Sequence, residues 1–286
     1  MSKPGIDILS AKAFFKGRKI VIATKHKKEL VIAPRFEVAF ETHSLIPDQL
    51  DTDQFGTFTG EVERGTTAYE AARLKIKTAL EFTGETLGIA SEGSFGPHPQ
   101  FSFVPADEEL VLLIDTINNL EISASKISTA TNYAHQQCTL WEEVKTFAIH
   151  SGFPSHALIL KAKNTFLKGI TTWPSLESGY HELKKEFPFV IVETDMRAMH
   201  NPTRMKVIEE ATTLLIEKIN SLCPNCQHPG FAVADKVAGL PCGSCGHPSQ
   251  FSLKHIYKCV HCGYLVEKLF PEGSVCDPMY CYYCNP

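Results

Sequence analysis

The sequence has no apolar run near the ~20 residues that a helical membrane span needs. Its best apolar stretch, Leu110–Ile114, has the length of a buried strand. Positive charge is not in excess: 28 Lys and Arg face 32 Asp and Glu, a net charge of −4, which argues against a general nucleic-acid coat protein. Cysteine is scarce over most of the length, because residues 1–222 hold only Cys138. Met1–Lys19 lacks the apolar core of a secretory signal, so a disulfide framework is not expected and the chain reads as intracellular and cytoplasmic. Arginine is missing from residues 221–286, where Lys236, Lys254, Lys258 and Lys268 are the basic residues. Tight DNA binding by that segment is therefore not expected.

What is present is concentrated at the other end. Cys223/Cys226, Cys242/Cys245, Cys259/Cys262 and Cys281/Cys284 form four Cys-x-x-Cys pairs. Two thiolates two residues apart reach one ion from a tight turn, and two such turns complete a tetrahedral shell. The spacings Cys-x2-Cys-x15-Cys-x2-Cys and Cys-x2-Cys-x18-Cys-x2-Cys provide this twice, so two structural zinc ions are expected. Pairing of consecutive turns closes the shorter loops and is the favoured arrangement over a cross-braced one. Cys138 and Cys276 remain over as inert thiols, without a neighbouring base that would mark a nucleophile.

Upstream, Lys19–Ala23, Leu87–Ala90, Leu110–Ile114, Ala157–Leu160 and Phe189–Val192 are short apolar runs bounded by Gly, Pro or charge, the pattern of strands in a covered sheet. Thr67-Ala68-Tyr69-Glu70 is a capping box that opens a helix with Ala72, Ile76, Ala79 and Leu80 on one face. Asn201-Pro202 opens another helix, which runs into Cys223. The expected architecture is an α/β domain over residues 1–220, its sheet flanked by helices, followed by a small double zinc-ribbon domain over 221–286.

Four segments carry candidate chemistry. Thr24-Lys25-His26-Lys27-Lys28-Glu29 follows the first strand, where a hydroxyl, an imidazole and amines are placed to hold phosphate oxygens. A solvated basic turn is the plain alternative. Gly56–Gly65 contains Glu61 and Glu63, and the strand Leu87–Ala90 leads to Glu92 and a glycine-bearing loop. Glu61, Glu63 and Glu92 are hard oxygen donors of the kind that bind Mg²⁺ or Mn²⁺. The fourth segment, Glu193–Arg204, packs Asp195, Arg197 and Arg204 around a helix N-terminus. A cation in the first helical turn is unfavourable for the dipole, which suggests either a bound anion or an internal ion pair.

Taken in order, these segments resemble the inosine/xanthosine triphosphate pyrophosphatase superfamily, which includes the Maf-like proteins. Ile-Val-Ile-Ala-Thr24-Lys25-His26-Lys27-Lys28-Glu29 is similar to its strand and Thr-x-Asn-x-x-Lys loop, and Glu70-Ala71-Ala72-Arg73-Leu74-Lys75 to its Glu-Asn-Ala-x-x-Lys helix. Ala90-Ser91-Glu92-Gly93, the segment Ala157–Ile170, and Pro202-Thr203-Arg204 resemble its later strand, hairpin and last helix. This chain departs in having His26, Glu29 and Glu92 where that family has Asn, Lys and Asp, and Pro34 is expected to interrupt the helix after the first loop. The whole chain also resembles a bacterial family without assigned function that shares Phe-Gly-Thr-Phe-Thr-Gly-Glu, Asp-Met-Arg-Ala and the terminal cysteines.

The superfamily resemblance implies a pyrophosphatase-like mixed sheet and a Mg²⁺-dependent hydrolysis of a nucleoside triphosphate or related phosphoanhydride that releases pyrophosphate. Glu61 and Glu92 would hold the metal with Glu63 nearby, and His26 would donate to phosphate or shuttle a proton. Thr24, Lys28, Lys75, Arg197 and Arg204 would bind substrate. The alternative is a non-catalytic nucleotide- or nucleic-acid-binding protein whose zinc ribbons contact nucleic acid or protein, with Tyr257, Tyr264, Tyr280, Tyr282 and Tyr283 stacking on bases.

Overall fold

The computed structural model describes residues 10–47 and 67–286. No helix among them is long and apolar enough to cross a membrane. The architecture is mixed α/β, with three sheets among the described residues.

The first sheet has the order β2-β1-β3-β4-β5, built from β1 (Lys19–Ile22), β2 (His43–Leu45), β3 (Leu87–Pro97), β4 (Pro105–Asp115) and β5 (Leu120–Ser128). β2, β1 and β3 run parallel, whereas β3, β4 and β5 form an antiparallel meander. Strand alternation divides the side chains between two cores. Ile20, Ile22, Ile89, Val111 and Leu113 meet α1 (Glu29–Phe40) and α5 (Pro202–Asn220) on one face. Val21, Ala90, Leu112 and Ile114 meet Ala72, Ile76, Ala79 and Leu80 of α2 (Ala68–Thr83) on the other. The Thr67 capping box forms as expected, with Gly84 ending α2 in the left-handed region.

Two expectations are corrected here. Gly93–Pro97 is not a loop, because β3 continues in register with Pro105–Glu109 and Glu92 therefore lies within a strand. Nor does Pro34 interrupt α1. The bond it forfeits would reach Leu30 in the first turn, where the chain is exposed, while Ile32, Phe36 and Phe40 anchor the helix to the core.

The second sheet, β6-β9-β7-β8, comprises β6 (His135–Cys138), β7 (Leu158–Ala162), β8 (Thr165–Ile170) and β9 (Val190–Thr194), all paired antiparallel. It has its own core with α3 (Trp141–His150) and α4 (Trp173–Glu186), formed around Leu158, Leu160, Leu176, Val190 and Val192. Cys138 is buried in this core, where burial pushes its thiol up to about 11. The described residues up to 220 thus hold two packed sheets rather than one.

β10 (Ala232–Ala238), β11 (Ser252–Lys258) and β12 (Leu265–Leu269) make a third, antiparallel sheet beyond α5. Its first turn rests on the larger domain, with His228 against Phe14 at 5.3 Å between ring centroids. Gly230, at φ +88, leaves room for Ile122 that any Cβ would take.

The first sheet is closed at the start of β1 by Arg18, which grips Asp115 with two bonds of 2.6 and 2.8 Å and also donates to Phe14 O and Thr86 Oγ1. Burial raises the Asp115 carboxyl, but hydrogen bonds from Arg18 and Asn118 outweigh it and hold the group below its ordinary range. A depressed folded-state value contributes stability above the unfolded pKa of about 3.9 and loses it as pH falls further. Asp115→Asn is therefore expected to cost about 3 kcal/mol at pH 7. Urea unfolding should show the gap from wild type narrowing below pH 4.

Candidate active site and metal centres

β1 ends at Ile22, whereas its parallel neighbour β3 runs on, and among the described residues no strand pairs with that edge of β3 beyond Ile89. The loop from Ala23 to Lys28 fills this gap. The Ala23 amide donates to Ile89 O, and the buried Lys28 ammonium donates to Ser91 O at 2.8 Å. The crevice beyond the carboxyl ends of parallel strands is where ligands bind in open α/β sheets. His26 and Lys27, at φ 68 and 61, turn this loop in the left-handed region, while Thr24 Oγ1 donates to Lys25 O.

Charged side chains from four separate segments converge behind the loop. On the α2 face, Lys75 pairs with Glu92 at 2.5 Å, with only 12% and 1% of the two side chains exposed. On the α5 face, Arg204 pairs with Glu109 at 2.5 Å, and both side chains are fully buried. Arg204 also donates to Met196 O, and its guanidinium lies 5.0 Å from the Phe95 ring centroid. Gly93 stands opposite Glu109 in the register, and a Cβ there would run into both Glu109 and Arg204. The glycine is what lets that ion pair lie against the strand.

Burial, and then the proximity of Arg204, lowers the Lys28 amine to about 8. Asp107, fully buried on the same face as Glu109, is raised to about 8, first by burial and then by the Glu109 charge. Among the described residues, the carboxylates paired with the cations of this cluster are Glu92 with Lys75 and Glu109 with Arg204.

The candidate catalytic and substrate residues that carry charge fall into two groups among the described residues. Lys28, Lys75, Glu92 and Arg204 come together. Arg197 is held by Asp195 at 2.6 Å, the internal ion pair weighed from the sequence, and Asp195 also accepts from the Gly169 amide. Arg197 and His200 border Gly169 of β8, and His200 is lowered by burial with further contributions from Arg197 and Lys27. The first loop therefore approaches the second sheet across the crevice. Glu61, Glu63 and the Gly56–Gly65 segment lie outside the described residues. Sequence reasoning passed over Asp107 and Glu109, although Asp107-Glu108-Glu109 inside a strand otherwise rich in buried apolar residues is a signal.

The cysteine pairs form two tetrads, Cys223/Cys226/Cys259/Cys262 and Cys242/Cys245/Cys281/Cys284. A tetrahedron of Zn–S bonds near 2.3 Å has edges of about 3.8 Å. The sulfur separations are 3.7 and 3.6 Å in the first tetrad and 3.8 and 3.5 Å in the second, which fits zinc and is far beyond a disulfide bond. Both tetrads are thus positioned to bind metal ions.

The expected pairing of consecutive turns is wrong, and the strands explain why. Each strand of the meander carries the chain to the opposite end of the sheet, ~17–24 Å away for five to seven residues at about 3.4 Å each. Alternate turns consequently meet, and the strands absorb the closure cost that favoured neighbours. The turns repeat one geometry: the amides of Gln227, Gly246, Gly263 and Asn285 bond back to the carbonyls of Cys223, Cys242, Cys259 and Cys281. Backbone amides of Cys245 and Ser244 draw the Cys242 thiol down to about 6, and the Asn225 amide followed by the backbone at Tyr264 does the same for Cys262.

Each tetrad carries a stacked ring pair, His228 on His261 at 3.5 Å and His247 on Tyr283 at 3.8 Å. Tyr257 and Tyr264 pack on Phe231 and Tyr280 on Phe251, so several of the candidate base-stacking rings cover this small core, whereas Tyr282 is 88% exposed. Cys276 is buried beside the second tetrad and is not one of its members.

The interleaved assignment makes a sharp prediction. Cys223→Ser/Cys259→Ser should lose one zinc per chain and Cys223→Ser/Cys242→Ser both, as measured by metal analysis of the purified variants. Consecutive pairing requires the opposite order. For the charge cluster, Glu92→Gln is expected to destabilise by about 3–5 kcal/mol by leaving Lys75 buried without its counter-charge. Lys75→Met/Glu92→Gln should recover much of that loss in urea unfolding.

A family model described as a domain of unknown function (DUF6671) matches residues 75–286. The match takes in Lys75, Glu92, Arg204 and every tetrad cysteine. No curated protein matches the chain.

Proposed function

Because the chain belongs to the DUF6671 family, whose description carries no activity, we propose from the charge cluster that it hydrolyses a nucleoside triphosphate or a related phosphoanhydride and releases pyrophosphate. The observation that supports this is the convergence of Lys28, Lys75, Glu92 and Arg204, far apart in sequence, beside the crevice at the ends of β1 and β3. Their order along the chain follows the pyrophosphatase-like segments, and a pyrophosphatase-like fold belongs to the same proposal.

In this reading, Lys28 and the first loop, with Thr24 and His26, receive phosphate oxygens. Glu92, oriented by Lys75, takes the proton of the water that attacks phosphorus as the bond to the pyrophosphate oxygen breaks. Arg204 is locked to Glu109 and Met196 O and acts by positioning β4 and α5 rather than as a phosphate arm. Arg197 stays paired with Asp195 at the border of the second sheet.

A divalent ion would neutralise phosphate charge. Around Glu92, however, the described residues offer one carboxylate already paired with Lys75, and the described groups that could hold a metal with three or more ligands are composed of cysteine and histidine. Glu92 and its described neighbours thus do not make a fitting Mg²⁺ site.

The test is release of phosphate and pyrophosphate from canonical and deaminated nucleoside triphosphates with Mg²⁺ or Mn²⁺. Glu92→Asp, which keeps the buried charge, should lower turnover by roughly 100-fold or more while the protein remains folded. Absence of turnover with nucleotide binding retained would favour the non-catalytic binding protein. Nucleotide affinity should weaken as pH rises through about 8, where Lys28 loses its proton, and calorimetry between pH 7 and 9 checks that sign.

A further inference from the structure

We propose that Thr203, His156 and Ser155 form a second reactive centre, in which the Thr203 hydroxyl is the nucleophile for acyl transfer from a carboxylic ester. The three side chains stand in a row where the segment between α3 and β7 meets the first turn of α5. His156 Nδ1 lies 3.0 Å from Ser155 Oγ, and His156 Nε2 lies 2.8 Å from Thr203 Oγ1. Backbone bonds tie the two segments together, from the Ala157 amide to His200 O and from the Asp195 amide to Ala157 O.

The protons along this row have one consistent order. Ser155 Oγ donates to Gly152 O at 2.7 Å, so it accepts from His156 Nδ1, and a neutral ring with its proton on Nδ1 leaves Nε2 to accept from Thr203. That is the order of nucleophile, base and orienting group in a hydrolase triad, with serine in the third place. Gly152 makes room for the ring, since a Cβ there would stand 2.8 Å from Nδ1. Thr203 also brings a donor of its own. Pro202 has no N–H and the Asn201 cap serves the Arg204 amide, which leaves the Thr203 amide at the start of α5 without an acceptor among the described residues. An N–H beside the nucleophile is where the oxyanion of an acyl transfer is met.

No cationic side chain among the described residues bonds to any of the three groups, which suits a neutral acyl group better than a phosphoryl one. Thr203 and His156 are half-buried and Ser155 is exposed, so an ester reaches the hydroxyl from solvent. Thr203 Oγ1 adds to the ester carbonyl carbon as its proton passes to His156 Nε2. The bond from that carbon to the alcohol oxygen then breaks, and the proton leaves with the alcohol. Water next attacks the acyl group on Thr203 and returns a proton through His156 to Oγ1 as the carboxylic acid departs. None of the three groups belongs to the charge cluster, so this centre stands apart from phosphoanhydride hydrolysis.

The experiment uses the full chain with its thiolate sites kept loaded with zinc, and 4-nitrophenyl acetate as the ester. Nitrophenolate is a better leaving group than the threonine alkoxide, so the acyl intermediate should accumulate. Wild type should release a burst of about one nitrophenolate per chain, and peptide mass spectrometry should find the acetyl group on Thr203. Thr203→Val should lose that adduct and Thr203→Ser should keep it. His156→Gln should slow acylation by roughly 100-fold or more. In wild type at alkaline pH, nitrogen-15 NMR should show the His156 proton on Nδ1, a readout that needs no substrate, and Ser155→Ala should remove that preference. No acetyl group on Thr203, equal labelling of His156→Gln, or a neutral His156 with its proton on Nε2 would overturn the centre and leave the row as a latch between β7 and α5.

Discussion

Arg204 is the side chain on which the arrangement of the first domain turns. Its guanidinium, fully buried, joins the first turn of α5 to Glu109 of β4, to the carbonyl of Met196 after β9, and to the face of Phe95 on β3. One group therefore fixes the last helix against the antiparallel part of the first sheet and connects it to the chain emerging from the second. Its position in the first helical turn is electrostatically unfavourable, and Glu109 compensates from the sheet face that α5 covers. Gly93 belongs to the same constraint, since the guanidinium and carboxylate occupy the space that a side chain on β3 would need.

The cluster and the sheet topology explain one another. β3 outlasts β1 by several residues, and its buried edge needs a donor of the kind a neighbouring strand would ordinarily supply. Lys28 supplies one through its side chain at Ser91 O. Burial at that edge, with Arg204 nearby, lowers the amine's affinity for its proton, so the requirement of the sheet edge and the tuning of the site come from the same placement of Lys28. Glu92 and Glu109, neighbouring in space, face opposite sides of the sheet and are neutralised by different elements, Lys75 from α2 and Arg204 from α5.

Much of this was legible locally. The Thr67 capping box, the Asn201-Pro202 helix start, the apolar runs of β1, β4 and β9 and the four Cys-x-x-Cys turns as metal-binding units all depend on residues close in sequence, and each has its expected form. What sequence could not provide depends on pairing at a distance. Gly93–Pro97 reads as a loop until Pro105–Glu109 is placed beside it. Asp107 and Glu109 read as ordinary acids until Arg204 and Gly93 arrive from elsewhere. Consecutive zinc pairing follows from loop entropy alone and fails because one strand separates each turn from the next. The Glu61 and Glu63 candidates lie outside the described residues.

The interleaving of the two tetrads has a temporal side as well. During synthesis, the first metal shell lacks two of its ligands until Cys262 has been made, by which stage the β10 and β11 segments already exist. A metal ion cannot then be held by the four thiolates as an early seed around which a short finger condenses. It closes behind a hairpin that is already available to form, so metal capture reports that the strands have found their order instead of dictating it.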